Sequence, residues 1–324
     1  MNKLIGVLAI FASVSLSLIC KDTNAQQAYP SRDIRIISPY AAGGSSGNQA
    51  RLLARKLSES WGQTVIVDDR PGGNTIIGTE AVARSAPDGY TILWHSSQHV
   101  VNPHLFRTSY DALKDLIPVA TFTKTELMLV LHPSVPANNL QQFIALAKAK
   151  PGTLNYASAG TGSTPHLAGE LFAFMSGVKV LHIPYKGVSQ AATDLIGGQV
   201  QFAFQTPVAS QAFVQSGKLK ALAVSGDERL VGLPDVPTFT QAGLEDFDVK
   251  FWFGLFVPAG TPKTIVDKLS AEIAKILAMP DVKTYLASQG LEPFILAPHQ
   301  FSSLLSVDYV KYGKLIKNAN IKAD

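Results

Sequence analysis

Short runs of β-branched and aromatic residues alternate with longer amphipathic runs along almost the whole chain. "DIRIISP", "QTVIVDD", "YTILWHS", "LMLVLHP", "TLNYASA", "VKVLHIPY", "VQFAFQT", "LKALAVSG" and "FWFGLFVP" each read as strands. Between them "NQARLLARKLSES", "NLQQFIALAKAKP" and "TPHLAGELFAFMSG" carry apolar residues at helical spacing. After "PAGTP", the run "KTIVDKLSAEIAKILAMP" ends at a proline, as a surface helix does. This alternation predicts βαβ units, parallel sheets and the α/β class.

Two segments are built alike. The first runs strand, "AAGGSSGN", helix, "GQTVIVDDR"; the second runs strand "LNYAS", "AGTGSTPH", helix, "GVKVLHIPYKG". Each has a glycine- and serine-rich turn entering a helix, then a glycine and a β-branched strand. Two copies are too few for a solenoid. They suit two α/β domains that present equivalent loops at the carboxyl ends of strands, where ligands of such folds sit. The loops would face each other across a cleft.

The chain has 324 residues, enough for two domains, with 46% hydrophobic and 16% charged positions, which excludes disorder. Its first residues read as a secretory signal: Lys3, an apolar run from Leu4 to Ile19, and a small-residue cleavage site after Thr23-Asn24-Ala25. No later run reaches the ~20 apolar residues of a membrane span. The lone cysteine, Cys20, lies within the signal, and the large Ile19 before it argues against a lipid anchor. The mature chain, from Gln26, then has no cysteine and depends on burial for its stability. Loss of Lys3, Lys21 and Asp22 takes the net charge from +4 to +3. The basic residues are dispersed, which excludes a nucleic-acid face and leaves a mild field attractive to small anions.

Several chemistries can be weighed. Gly43-Gly44-Ser45-Ser46-Gly47 fits the G-x-S-x-G nucleophile elbow. That elbow needs several preceding strands and an upstream oxyanion donor, and residues 26–44 leave room for one strand. Gly160-Thr161-Gly162-Ser163-Thr164-Pro165 begins like a dinucleotide loop but ends in proline, and no G-K-[ST] occurs. His95 and His99 are four apart, yet on a strand end and loop rather than a helix, and there is no H-E-x-x-H. What remains is an anion cradle. Helix starts carry unpaired N–H groups and partial positive charge, glycines admit close approach, and hydroxyls add donors. The alternative for these residues is ordinary capping by Ser46, Asn48 or Ser163.

The stretches "YPSRDIRIISPYAAGG", "LARKLSESWGQTVIVDDRPGGNTIIGTEAVARSAPDGYTIL", "VNPHLF", "TLNYASAGTGSTPHLAGELF", "HIPYKGVSQAATDLIGGQV", "GKLKALAVSG" and "FWFGLFVPAGTP" together resemble the tripartite tricarboxylate transporter receptors, the TctC or Bug family of periplasmic solute-binding proteins. They cover nearly the whole mature chain in the family's order. The resemblance implies a two-domain Venus-flytrap fold without catalysis, cofactor or metal, a monomer that captures small carboxylates for a membrane permease or a sensor. It implies domains at 26–124 plus 249–324 and at 125–248, with a C-terminal helix bracing the first. In the first loop it points to Tyr40, Ala41, Ala42, Gly43, Ser45 and Ser46, with Tyr40 able to cover a ligand ring. In the second it points to Ala159, Gly160, Thr161, Ser163 and His166. Ser96 and Ser97 match the loop after the third strand, and Tyr185, within "PYKG" (Pro184 to Gly187), a further cleft-lining stretch.

This chain departs from the family pattern twice. The common G-G-x-x-D has Gly47 at the aspartate position, and a frequent Phe-Asp is Phe204-Gln205. Fewer carboxylates in the pocket lower repulsion against anions and remove partners for an ammonium. Amino acids and nicotinate-like bases are therefore disfavoured, and a dicarboxylate or a terephthalate-like aromatic carboxylate is favoured. An exported hydrolase using Ser45, and a binding protein that acts only on a sensor, are the competing functions.

Overall fold

Ile34, Ile36 and Ile37 are fully buried, which makes β1 (Ile34–Ser38) an interior strand covered on both faces. It pairs in parallel with β2 (Val65–Asp69) and β3 (Thr91–Ser96), reached through α1 (Ser45–Trp61) and α2 (Ile76–Ala83). The second copy repeats this order. There β6 (Asn155–Ser158) pairs in parallel with β7 (Leu181–Pro184) and β8 (Phe202–Gln205), through α5 (Thr164–Ser176) and α6 (Val188–Ile196). The computed structural model describes residues 29–42, 45–185, 187–247, 249 and 251–322. The signal segment with Cys20, and Gly43, Gly44 and Lys186, lie outside the described residues.

The sheets are mixed, not parallel throughout. In the first, β10 (Phe251–Pro258) runs antiparallel to β3 and to β4 (Leu116–Thr125), and the short β11 (Glu292–Pro293) closes the far edge. In the second, β5 (Met128–Leu131) lies antiparallel between β8 and β9 (Lys220–Val224). The chain passes from β4 to β5 within three residues and returns to the first sheet on β10, β4's neighbour. Strands that carry the chain out and back side by side have to oppose each other. The sequence pattern missed β4 because Pro118 interrupts it; Pro118 sits beside Phe256 at a break in register, where a missing N–H is tolerated.

Each sheet has an apolar cluster on either face. In the first, Ile34, Ile36, Trp94 and Phe253 face α1 and α8 (Lys263–Ala278), while Ile37, Leu93, Trp252 and Phe256 face α10 (Pro298–Asn318). Tyr156, Phe172, Phe202 and Phe204 fill one face of the second sheet. The lobes meet through α5: Leu167 lies in the same cluster as Ile37, Val100 and Val101 of the first lobe. Gly162 packs so closely on Leu105 that a Cβ would come within 2.9 Å of Leu105 Cδ1.

Gly254 shows how tight the first lobe is. A Cβ there would lie 2.6 Å from Phe301 Cζ and 3.0 Å from the Ala120 carbonyl oxygen. Gly254→Ala is expected to destabilise by about 1–3 kcal/mol through overpacking, read as a lower urea midpoint with unchanged slope.

Candidate functional site

In both lobes the central strand of the βαβαβ unit ends in a serine, Ser38 and Ser158, and the order of neighbours reverses there. That reversal opens a crevice at the carboxyl ends of β1 and β3, and of β6 and β8. The pairings Ile36↔Ile92 and Tyr156↔Phe202 make the crevices superposable in register, so His95 of β3 corresponds to Gln205 of β8.

On the first lobe Tyr40 turns inwards. Its hydroxyl donates to Ser96 Oγ at 2.7 Å and accepts from the Ser96 N–H at 3.0 Å, while its ring meets Phe253 edge-on. Burial pushes its phenol above the ordinary range, so the hydroxyl stays a neutral donor. Tyr40 therefore pins the ends of β1 and β3 together. Ala41, Ala42 and Ser45 are exposed at the lip, and Gly43 falls outside the described residues. Ser45 opens α1, with its Oγ accepting from Gln49 Nε2 at 3.3 Å; Gln49 Oε1 in turn accepts from Thr123 Oγ1 at 2.5 Å. An amide cannot take a proton from a hydroxyl, so this partner gives Ser45 no base. Ser46 Oγ accepts from the indole N–H of Trp94 at 2.9 Å.

On the second lobe the loop holds its own shape. Ser158 Oγ accepts from the Gly160 N–H at 3.0 Å and lies 2.6 Å from His182 Nε2. Ser163 donates both its N–H and its hydroxyl to the Gly160 carbonyl, at 3.1 and 2.6 Å. The Ser163 side chain therefore does not cap α5, against the capping alternative. Gly160 and Gly162 have φ of 116° and 79°, conformations that suit glycine. His166 is buried beneath the loop: its Nδ1 accepts from the Gly162 N–H at 3.0 Å, and its ring stacks on His182 at 3.9 Å. It shapes the loop from below. Ala159 is half-buried, and Thr161 lies on the buried side of the turn.

Tyr185 donates to Asp194 Oδ2 at 2.8 Å, and burial, then that carboxylate, push its phenol up to about 12. Gln205 is 5% exposed, and its Oε1 has no partner among the described residues. A contact between the lobes joins the loop after β3 to the start of α5: Ser97 Oγ lies 3.2 Å from Thr164 Oγ1, both residues buried. Ser97 thus meets the second loop at Thr164; Tyr40, Ser96 and Ser46 are bonded within the first lobe, and the Tyr185 carbonyl lies against Gly160.

His95 was weighed in the sequence only with His99, as a metal pair, and was not among the expected cleft residues. Its Nδ1 lies 2.8 Å from the Ser96 backbone nitrogen and 3.1 Å from the Ser96 carbonyl oxygen, while its Nε2 and Ser38 Oγ are buried without partners among the described residues. Burial, then the neighbouring His99, hold it well below the ordinary histidine range. The two rings are 5.3 Å apart, and His99 Nε2 bonds the Ala112 carbonyl at 2.8 Å. No group of three or more metal-ligating side chains exists among the described residues.

The family model "Tripartite tricarboxylate transporter family receptor" matches residues 49–321. The chain belongs to this family. A UPF0065 protein encoded in the tcbD-tcbE intergenic region of a Pseudomonas species is 36% identical over 99% of this chain and 96% of that protein. An R. palustris protein solved with adipate is 30% identical, with a TM-score of 0.82 over 91% of this chain and 100% of that one. MatC from Rhodopseudomonas palustris, solved with bound malate, is also 30% identical, with a TM-score of 0.79 over 89% of this chain and 100% of that one. The TctC family is one of solute-binding receptors, not enzymes, and its solved members are periplasmic binding proteins of two-domain fold. The hydrolase alternative fails on that finding and on the neighbours of Ser45. Among the described residues no helix is long and apolar enough to cross a membrane.

The buried histidines make stability depend on pH. Burial lowers His99 to about 4, with its bond to Ala112 working the other way. The unfolded chain takes up the proton first, so this contribution is fully present above pH 6.5 and is lost as the pH falls towards 4. The loss reaches about 3 kcal/mol by linkage. His99→Asn is expected to be less stable at pH 7.5 but to show a flatter fall in urea midpoint between pH 7 and 4.5.

Proposed function

We propose that this receptor captures a small carboxylate between its lobes, at the Tyr40–Ser46 and Ala159–Thr164 loops. The contact of Ser97 with Thr164 carries the reading, because it holds the two crevices face to face. On this reading the starts of α1 and α5 both offer N–H groups and partial positive charge to the solute, and an anionic oxygen pair is the ligand that such donors suit. The Ser163 side chain, committed to Gly160, leaves the α5 start uncapped and supports the same view. The unpartnered Gln205 Oε1 adds a neutral group where a carboxylate would repel the ligand.

The adipate and malate carried by the two solved relatives support a dicarboxylate, and an aromatic carboxylate remains the next class. The domains divide at 26–124 plus 249–324 and at 125–248, with the hinge in the β4–β5 passage and the return into β10. Residues 1–25 direct export to the periplasm, where the monomeric receptor hands its solute to the membrane subunits of a tripartite tricarboxylate transporter.

A thermal-shift screen of dicarboxylates, tricarboxylates and aromatic acids tests this. A ligand at a hundredfold excess over Kd adds about 2.7 kcal/mol, a rise of about 5–10 °C for lobes of this size. Aspartate is expected to give none, and submicromolar aspartate binding by calorimetry would contradict the assignment. Ser163→Pro keeps a compatible φ (−67° in the structure) but removes both bonds to Gly160. It should abolish the ligand-induced rise while leaving the unliganded melting temperature within a few degrees. An equal loss without ligand would mark Ser163 as structural.

A further inference from the structure

Gly47 and Arg51 are four residues apart on α1, and Arg51 occupies the space that a side chain at 47 would fill. A Cβ at 47 would collide with Arg51 Nη2 and lie 3.2 Å from its Cζ. Helical side chains lean towards the N-terminus, so the guanidinium lies over the first turn of α1, against Gly47. It is anchored from the other side, where Nη1 donates to Asp69 Oδ2 at 3.0 Å. Asp69 ends β2 directly opposite Ser38, at the carboxyl edge that carries the first loop. The Arg51 side chain is 42% exposed, so a solute can reach it. Charge at this edge is in excess: Arg35 and Arg70 both pair with Asp68, and Arg51 pairs with Asp69, three arginines against two aspartates.

We propose that Arg51 is a specificity-determining residue of this receptor, taking the second carboxylate of a dicarboxylate whose first carboxylate is held by the two loops. The assignment rests on the carboxylate-receptor reading above. Gly47 is the third residue of α1, about 3 Å along the axis from Ser45, so a guanidinium over it stands within a short dicarboxylate's reach of that helix start. Its planar fork offers paired donors to a carboxylate. The Asp69 bond already restrains the side chain, so little rotamer freedom is left to lose on binding. An acid at position 47 would displace or neutralise the guanidinium; glycine leaves it available.

Calorimetric titration separates the possibilities, with malate and adipate as dicarboxylates and butyrate and benzoate as monocarboxylates. The wild type is expected to bind one of the dicarboxylates at least tenfold more tightly than butyrate. Arg51→Gln should weaken that dicarboxylate about tenfold, the size of one charged hydrogen-bonded contact, and leave butyrate unchanged. Arg51→Lys should restore part of the loss, and Gly47→Asp should mimic Arg51→Gln. Equal effects of Arg51→Gln on both ligand classes, or none on either, overturn the assignment. Wild-type binding of benzoate or butyrate with no preference for a dicarboxylate overturns it too, yet leaves the receptor reading intact. Failure of every carboxylate to bind the wild type overturns both.

Discussion

A helix that starts at the end of a buried strand leaves N–H groups with nowhere to turn, and this chain makes that deficit twice, face to face. The remaining features of the site follow from having to keep those donors available. Ser163 spends its hydroxyl on the Gly160 carbonyl rather than on the helix it precedes. Ser46 receives the Trp94 indole proton and so keeps its own hydroxyl hydrogen free to point elsewhere. Gly160 and Gly162 take backbone conformations that bring the turn close to its partner lobe. A conventional cap at either helix would be worth about 1 kcal/mol of stability; on the proposed reading the arrangement trades that for an anion site.

The two lobes share one plan but not one chemistry. Register makes Ser38 the counterpart of Ser158, and His95 the counterpart of Gln205. On the second lobe Ser158 is fully engaged with Gly160 and His182. On the first, Ser38 Oγ and His95 Nε2 are buried without partners among the described residues. A buried polar atom without a partner costs about 1–3 kcal/mol; this crevice holds two, Ser38 Oγ and His95 Nε2, where its counterpart holds one, Gln205 Oε1, among the described residues. On the proposed reading the second lobe is therefore the more preorganised half of the cradle, and the first has more polar groups to satisfy with a solute or its bound water.

Much of this was legible in the chain itself. Nine strands announced themselves by β-branched and aromatic runs, and the repeated turn–helix–strand unit exposed the pseudo-symmetry before any coordinates. β4 stayed hidden because Pro118 argues locally against a central strand, and only pairing with β10 across a break in register makes room for it. The antiparallel neighbours were hidden for a related reason: direction depends on which strands carry the chain between lobes, a long-range fact that no local pattern encodes. At the site, glycine- and serine-rich turns were visible, but their internal bonds were not. Ser163 and His166 were expected at the cleft, with capping the alternative for Ser163, and nothing in the pattern announced that they bond Gly160 and Gly162 within the loop. Arg51 was the opposite case. Its signal was an absent side chain four residues earlier, read as a loss of charge at 47 when it was also a gain of space.

The packing between lobes decides how the receptor responds to a solute. Leu167 is 1% exposed within the first lobe's cluster, and Gly162 rests against Leu105, so closure brings apolar burial of its own. Burying a leucine side chain is worth about 1.5–3 kcal/mol, a contribution to the contact between the lobes that needs no ligand. A solute shifts the balance only by the difference in its affinity for the two states. A ligand satisfied by one loop adds nothing to closure, however tightly it binds. One that spans the gap bonded by Ser97 and Thr164 adds its second set of contacts solely to the closed form. Selection by the receptor is therefore selection for bridging, and shape at the loops matters as much as charge.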